Sequence, residues 1–365
     1  MPNSQTIGLP KHELETPALC VDETIYRRNA ARMMEFLQPR GIGWRPHMKG
    51  QKCPQLALIA QEAGAIGVTC ATVYEAEVMA EAGIGNILIA HETTGAQKLR
   101  RLARLERTAR VISATDSAEH LAMVAEAAQA EGVTVPVLIE LNIGMDRAGI
   151  APGEPALELA RQAVKTPGLA FAGIMGWEGH VLTIGDIEER TRATHRCIQL
   201  LLDTVALVRS HGIPVEIVSS SGSGTFLQAG QLEGITEVQA GGGTLFDQMY
   251  RRWGVPNEFS LTVVTRVVSR PSPTRVITDA GWKAVCPDHG LPLTLSLPEH
   301  KSFSLSAEHG NLELAQPSDT PRVGDVIELV PAYTDSTVCL HDEMCVVRDG
   351  VVTAVWPIAG RSGRR

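Results

Sequence analysis

The sequence has no CxxC pair, no GxGxxG after its first apolar run, no signal-type apolar core near its start and no apolar run long enough to cross a membrane. Each absence removes a class of protein. The seven cysteines are odd in number and scattered (Cys20, Cys53, Cys70, Cys197, Cys286, Cys339, Cys345), which points to reduced thiols and not to a disulfide framework. A missing dinucleotide fingerprint counts against an open doubly wound sheet. The net charge of -8 leaves no general basic face for nucleic acid, although a local basic pocket for one small phosphate is compatible with it. No internal repeat or low-complexity tract stands out. The expected protein has no membrane and no nucleic-acid partner, and its expected location is the cytoplasm.

What is present is 365 residues, 44% apolar and 20% charged, enough for a barrel and a second domain. From residue 18 to about 245, nine short apolar runs alternate with amphipathic stretches. The runs are 18–22, 41–47, 66–71, 86–91, 110–114, 135–142, 169–177, 214–220 and 236–243. Helical patterns lie between them, such as 24–37, 72–83 and 117–132. So many alternations predict parallel βαβ units closing into a (β/α)8 TIM-type barrel over 18–255. After about 256 the pattern turns to short strands with turn residues between them. It predicts a C-terminal β-rich domain over 256–365, with 1–17 as a candidate addition. Asp349-Gly350 in VVRDGVV predicts a two-residue hairpin turn.

Five segments carry chemistry. RPHMKGQK (45–52) gathers Arg45, His47, Lys49 and Lys52 at the end of an early strand, where a barrel opens its active site. A partly desolvated lysine there can form an imine with an aldehyde; the alternative is a solvent-facing basic loop. SSSGSGTF (219–226) and QAGGGTLFD (239–247) are glycine-rich turns after late strands, where backbone N–H groups approach a phosphate closely. Ser219, Ser221, Gly222, Gly224, Gly242, Gly243 and Thr244 are the candidate cradle, against ordinary tight turns. NIGMDRAG (142–149) offers Arg147, a planar fork for a cofactor oxygen. MGWEGH (175–180) offers Glu178, Trp177 to pack beside a ring and His180 as an acid or base, against a packing aromatic and a surface histidine.

Taken together, TPAL, RPHMKGQK, IGVTCATVYEAEVMAEAGIGNILI, GMDRAG, GWEGH, SSSGSGT, AGGGT, TDAGWKA, SAEHG, LHDEM and VWPI resemble the D-threonine aldolase and D-serine dehydratase family of alanine-racemase-like enzymes. The resemblance covers nearly the whole chain. It implies pyridoxal 5'-phosphate as cofactor, Lys49 as the imine lysine, His47 beside the cofactor, Arg147 near its phenolic oxygen and both glycine turns on its phosphate. It also implies a homodimer and a small amino-acid substrate.

One departure matters. The family carries a divalent-metal pair, His-x-Cys or His-x-Asp, ahead of the HD of LHDEM. Here the histidine position holds Tyr333 and the second holds Asp335. A phenol replaces imidazole poorly as a ligand, leaving Asp335 as a weak metal candidate with His341 or water. Expelling a β-hydroxyl gains greatly from a metal, whereas retro-aldol cleavage needs only its deprotonation. The expected reaction is therefore retro-aldol cleavage of a β-hydroxy-D-amino acid to glycine or another small amino acid plus an aldehyde. His180 and Tyr333 are the candidate bases. The rivals are a D-serine or 3-hydroxy-D-aspartate dehydratase, a racemase, a non-enzymatic carrier of the cofactor and an unrelated barrel enzyme acting on a phosphorylated substrate.

Overall fold

The computed structural model describes residues 6–361. They divide into two compact units, one made of Ala31–Lys49 and Pro54–Gly241, the other of 6–30, Gly50–Cys53 and Gly242–Arg361.

The chain begins with β1 (Ala18–Asp22) and α1 (Glu23–Leu37). It then alternates through β2 (Gly43–Trp44), α2 (Pro54–Glu62), β3 (Val68–Cys70), α3 (Val73–Glu81), β4 (Asn86–Ile89), α4 (Ala96–Leu105), β5 (Arg110–Thr115) and α5 (Ala118–Glu131). There follow β6 (Val135–Leu141), α6 (Glu154–Lys165), β7 (Leu169–Gly176), α7 (Ile187–Ser210), β8 (Ile217–Ser220), α8 (Phe226–Ala229) and β9 (Glu237–Val238). Strands β2 to β9 form one parallel sheet in the order β2-β9-β8-β7-β6-β5-β4-β3. The residues just past β2 join its two ends. His47 N–H donates to the Gln239 carbonyl, and Met48 N–H donates to the Thr69 carbonyl. This unit is the expected (β/α)8 barrel. Its strands read as unbroken apolar runs because both faces are covered, and every residue of β6 is buried. Leu88, Ile112, Ala114, Leu138, Ala172 and Met175 form one packed cluster. Local signals set the helix ends. Thr72 caps α3 by accepting from Glu75 N–H, Ser117 caps α5 by accepting from His120 N–H, and Gly132 ends α5 at φ 65.

In the second unit, α9 (Gln248–Arg252) precedes β10 (Leu261–Ser272), β11 (Arg275–Thr278), β12 (Leu293–Thr294), β13 (His300–Leu305), β14 (Gly310–Leu314) and β15 (Val326–Val330). After these come α10 (Thr334–Val338), β16 (Glu343–Arg348) and β17 (Val351–Pro357). The sheet runs β13-β14-β11-β10-β1-β16-β17, with β15 also paired to β10 and β12. The hairpin at Asp349-Gly350 forms as expected, with φ 49 and 76 at the two turn residues and Arg348 opposite Val351.

Two expectations change. The run 18–22 is not a barrel strand: β1 pairs antiparallel with β10 and parallel with β16. The remaining eight runs supply the barrel. The division of the chain also differs from a single cut near 255, because 6–30, Gly50–Cys53 and Gly242 onward belong to the β-rich unit. Residues 6–17 fall in the same unit as Gly242–Arg361, and Pro10 bridges Val351. Residues 1–5 and 362–365 lie outside the described residues. No helix among the described residues is long and apolar enough to cross a membrane.

Candidate active site

The barrel unit gathers several of the expected residues around one indole. Trp177 follows β7 directly. The Lys49 ammonium is 5.4 Å from its ring centroid and the Arg147 guanidinium carbon is 5.0 Å from it, both within the cation–π range of about 6 Å. A Cβ built on Gly222 would come 3.3 Å from Trp177 Nε1. Lys49, Arg147, Trp177 and the 219–224 turn therefore share a neighbourhood, although they are spread over more than 170 residues of chain. The two cations are poorly compensated. Lys49 has no carboxylate partner among the described residues, and Arg147 has only Glu140 at 3.8 Å. Such an arrangement favours an anionic or electron-rich guest.

The barrel holds Lys49 through its neighbours. His47 bonds the backbone on either side and accepts the Lys49 N–H at Nδ1, 3.3 Å away. Gly241 permits this approach, since a Cβ there would fall 2.2–2.8 Å from His47 backbone atoms. Ser219, at the end of β8, accepts from Gln239 Nε2 at 3.0 Å. Ser220 donates to the Gly176 carbonyl and to Glu178. Ser221 turns the chain at φ 65, and its buried hydroxyl has no partner. Gly222 and Gly224 make the tight turn that follows, closed by Thr225 N–H donating to the Gly222 carbonyl.

Other expected members are elsewhere. Arg45 is not a site residue but a buried bolt, with Nε and Nη2 each 2.9 Å from the Glu237 carboxylate and Nη1 bonded to Asn86. Lys52 is 8% exposed at φ 51 in the β-rich unit, not on the Trp177 cluster. His180 is carried away by the 3-10 turn Gly179–Thr183. Its Nε2 faces Cys197 Sγ at 3.7 Å and its ring lies where a Cβ of Gly144 would be. His180 and Cys197 line an open cavity of about 550 Å³ with Ile143, Arg196 and Asp203, and the residues around Trp177 are not among its walls.

Glu140 was missed in the sequence, although a lone carboxylate inside the run VPVLIEL is itself a signal of something other than packing. Burial pushes its pKa up to about 8, Glu92 pushes the same way, and the opposing pull of Arg147 is smaller. Because the native pKa lies above the ordinary carboxyl value of 4.5, folding takes up a proton, and stability is lost as pH rises from about 4.5 to about 8. Glu140→Gln should abolish that loss. Thermal melts of the two proteins are expected to converge in acid and separate above about pH 8, the variant melting higher; parallel curves at every pH would refute the assignment.

In the β-rich unit, Gly242–Thr244 form a 3-10 turn. Gly242 packs on Tyr250, whose hydroxyl would be 2.0 Å from an added Cβ, and Thr244 Oγ1 accepts from Gln51. Tyr333 Oη donates to Asp335 Oδ2 at 2.9 Å. Burial, and then the Asp335 charge, hold the phenol well above its ordinary pKa, so Tyr333 is a proton donor and not a resting base. Asp247, also missed, fixes this pair. It caps α9 through Met249 and Tyr250 N–H, and it accepts from both the N–H and the hydroxyl of Thr334. A Cβ on Gly50, the residue after Lys49, would be 2.0 Å from Asp335 Oδ1.

Residues 21–248 match the alanine racemase N-terminal domain and residues 260–347 a putative serine dehydratase domain. A D-threonine aldolase from Arthrobacter sp is 34% identical over 98% of this chain and 96% of its own. The chain belongs to the D-threonine aldolase and serine-dehydratase-like family of alanine-racemase-fold lyases. Within this family, a 3-hydroxy-D-aspartate aldolase from Paracoccus denitrificans is 30% identical over 97% of this chain and 94% of its own. The crystal structure of D-threonine aldolase from Filomicrobium marinum superposes with a TM-score of 0.94, at 35% identity over 97% of this chain and 98% of that one. The family assignment makes the chain a pyridoxal-phosphate-dependent lyase.

Proposed function

We propose that the protein cleaves a β-hydroxy-D-amino acid into glycine, or another small amino acid, and an aldehyde, using pyridoxal phosphate. The observation that carries the reading is the pair of cations, Lys49 and Arg147, on the one indole of Trp177 beside Gly222. The cofactor fits these residues. Ser221 carries an unpartnered buried hydroxyl beside a glycine turn, the kind of donor a phosphate oxygen satisfies. Lys49 is the residue proposed to hold the cofactor covalently. Arg147, Trp177 and His47 would help to hold its ring, and Ser219, Ser221, Gly222 and Gly224 would hold its phosphate. When bound, the cofactor supplies an electron sink for the carbon next to the substrate's amine.

The protein's own residues then have distinct tasks. Arg147 fixes orientation through its planar fork. Trp177 keeps water from one face of the cluster. Lys49 is the amine that would return a proton to Cα. The family's divalent metal does not fit this chain. The proton of the Tyr333 phenol is committed to Asp335, and His341 Nε2 is bonded to the Ala284 carbonyl at 2.8 Å. No group of three His, Cys, Asp or Glu side chains suited to a metal is found among the described residues. Without that Lewis acid, cleavage is favoured over dehydration. A homodimer, as the resemblance implies, is part of the proposal. The test is a panel of β-hydroxy-D-amino acids with aldehydes and 2-oxo acids measured separately. Aldehyde with an equal amount of glycine or another small amino acid is expected; ammonia with a 2-oxo acid would replace this reading with the dehydratase.

A further inference from the structure

We propose that Glu140 and Glu92 share one proton and act as the positioning pair of Arg147, leaving its positive charge free for the anionic cofactor. Cofactor binding and protonation of the pair then favour each other. The inference rests on the reading above that Arg147 helps to hold the cofactor, and it names the residues that set the charge there.

Three observations carry it, all within the barrel unit. First, Glu140 is a buried residue of β6 whose Oε1 lies 3.8 Å from Arg147 Nη2. The same guanidinium is 5.0 Å from the Trp177 ring centroid, so the carboxyl and the indole meet at one cation. Second, the side chain of Glu92, just past β4, is hydrogen-bonded to that of Glu140. Two ionised carboxylates cannot make that bond; one of them must carry a proton and donate it. Glu92 Oε1 is buried, and no other donor among the described residues reaches it. Third, the backbone fixes the loop that bears Arg147 to the same place. Asn142 N–H donates to the Ile150 carbonyl and Ile150 N–H donates to the Glu140 carbonyl, so the loop leaves β6 and returns to it beside Glu140. Gly149 N–H donates to Asp116 Oδ2 at 3.1 Å, which ties the loop to the end of β5 as well.

The charged groups facing Glu140 are Glu92 after β4, Asp116 after β5 and Arg147 in the loop after β6; its neighbour on β7, Met175, is uncharged. Burial first, and then Glu92, raise the Glu140 pKa to about 8 against the smaller pull of Arg147. Near neutral pH the pair therefore keeps its proton, and Arg147 faces an uncharged carboxyl. Above about pH 8 Glu140 ionises, and the guanidinium gains a carboxylate at ion-pair distance. An anion arriving at Arg147 must then compete with that carboxylate. The linkage is reciprocal. Engagement of Arg147 by the phosphorylated cofactor weakens the pull that favours ionised Glu140, so binding takes up a proton. That proton passes from solvent to a carboxyl oxygen; no bond of the cofactor changes and nothing is oxidised or reduced. Glu140 and Glu92 are positioning residues in this scheme, acting through Arg147.

Equilibrium dialysis of the full-length protein against pyridoxal phosphate, from about pH 6.5 to about pH 9.5, tests the coupling. Comparing wild type with Glu140→Gln at each pH cancels the titration of Lys49 and of the cofactor itself. The two are expected to bind equally at the acid end. At the alkaline end the wild type should bind up to about tenfold more weakly, the worth of one pKa unit. In an Arg147→Met background the same Glu140→Gln change should alter affinity by less than about twofold throughout, because the group it acts through is gone. Glu92→Gln should move the weakening to lower pH, since its amide carries no charge and can donate to ionised Glu140. Infrared spectra of the wild-type holoenzyme read the proton without any variant: a carboxylic C=O band is expected near neutral pH, fading above about pH 8. A wild-type to Glu140→Gln ratio that stays flat with pH would overturn the proposal, and so would a holoenzyme with no such band. A protein that binds no pyridoxal phosphate at any pH defeats the cofactor reading, and the coupling falls with it. Binding with a flat ratio removes the coupling alone.

Discussion

Lys49→Ala is expected to remove all measurable lyase activity and the visible absorbance of the purified protein, while leaving the fold intact. The argument is positional. Lys49 lies in the turn that leaves the barrel, fixed by the His47 ring behind its own N–H, and its ammonium reaches the Trp177 indole with no carboxylate beside it. A lysine used only for solubility would extend to water or pair with an acid. Side-chain truncation at a half-buried turn costs little in packing, so the melting transition should move only slightly. Arg147→Ala is the useful control, since it removes the other cation on the same indole but cannot abolish a covalent attachment. A yellow, active Lys49→Ala protein would mean that another amine does the work.

Glu237→Ala is expected to be the most destabilising single change in the barrel. Arg45 and Glu237 are both 2% exposed and meet through two parallel hydrogen bonds of 2.9 Å. Removing the carboxylate leaves a buried guanidinium whose remaining side-chain partner is Asn86, and such unpaired charges cost about 3–5 kcal/mol. The consequence should extend to the site, because Arg45 is four residues from Lys49 in the segment that closes the barrel. Urea unfolding followed by fluorescence would show the loss as a lower midpoint, and cofactor affinity should fall with it. A double variant, Arg45→Met with Glu237→Met, should recover most of the stability, since it removes both charges together. A single variant as stable as the wild type would show that the pair is not what holds the segment.

The legible parts of the sequence were those with a local physical signature. Glycine turns could be placed after the last two barrel strands because their residue types suit a close backbone approach, and both turns are where the pattern put them. The hairpin at Asp349-Gly350 was legible for the same reason: it needs two consecutive positive φ angles. β1 was misplaced because ALCVD followed by an amphipathic helix is the ordinary βα signal, and nothing in five residues tells which sheet will accept them.

At the site, the limits were of range. Arg45 read as part of a basic loop because its partner Glu237 is 192 residues away. His180 sits three residues past Trp177, and only the intervening 3-10 turn reveals that it is directed to Cys197. Asp247 offered a weak signal as a helix cap, but its second role, binding Thr334 87 residues later, has no local trace. Tyr333 and Asp335 stand out only through the family resemblance, as the positions of its metal pair. Their direct hydrogen bond is a fact of the folded chain.

The central claim is that one specific amine carries the cofactor, and it can be read directly. Reducing the purified holoenzyme with borohydride fixes the lysine–cofactor bond, and proteolysis with mass spectrometry locates it. The account predicts the pyridoxyl group on the peptide containing Lys49, at close to one per chain. Finding it on Lys52 or on another lysine, or finding no adduct in a coloured and active preparation, would contradict the account.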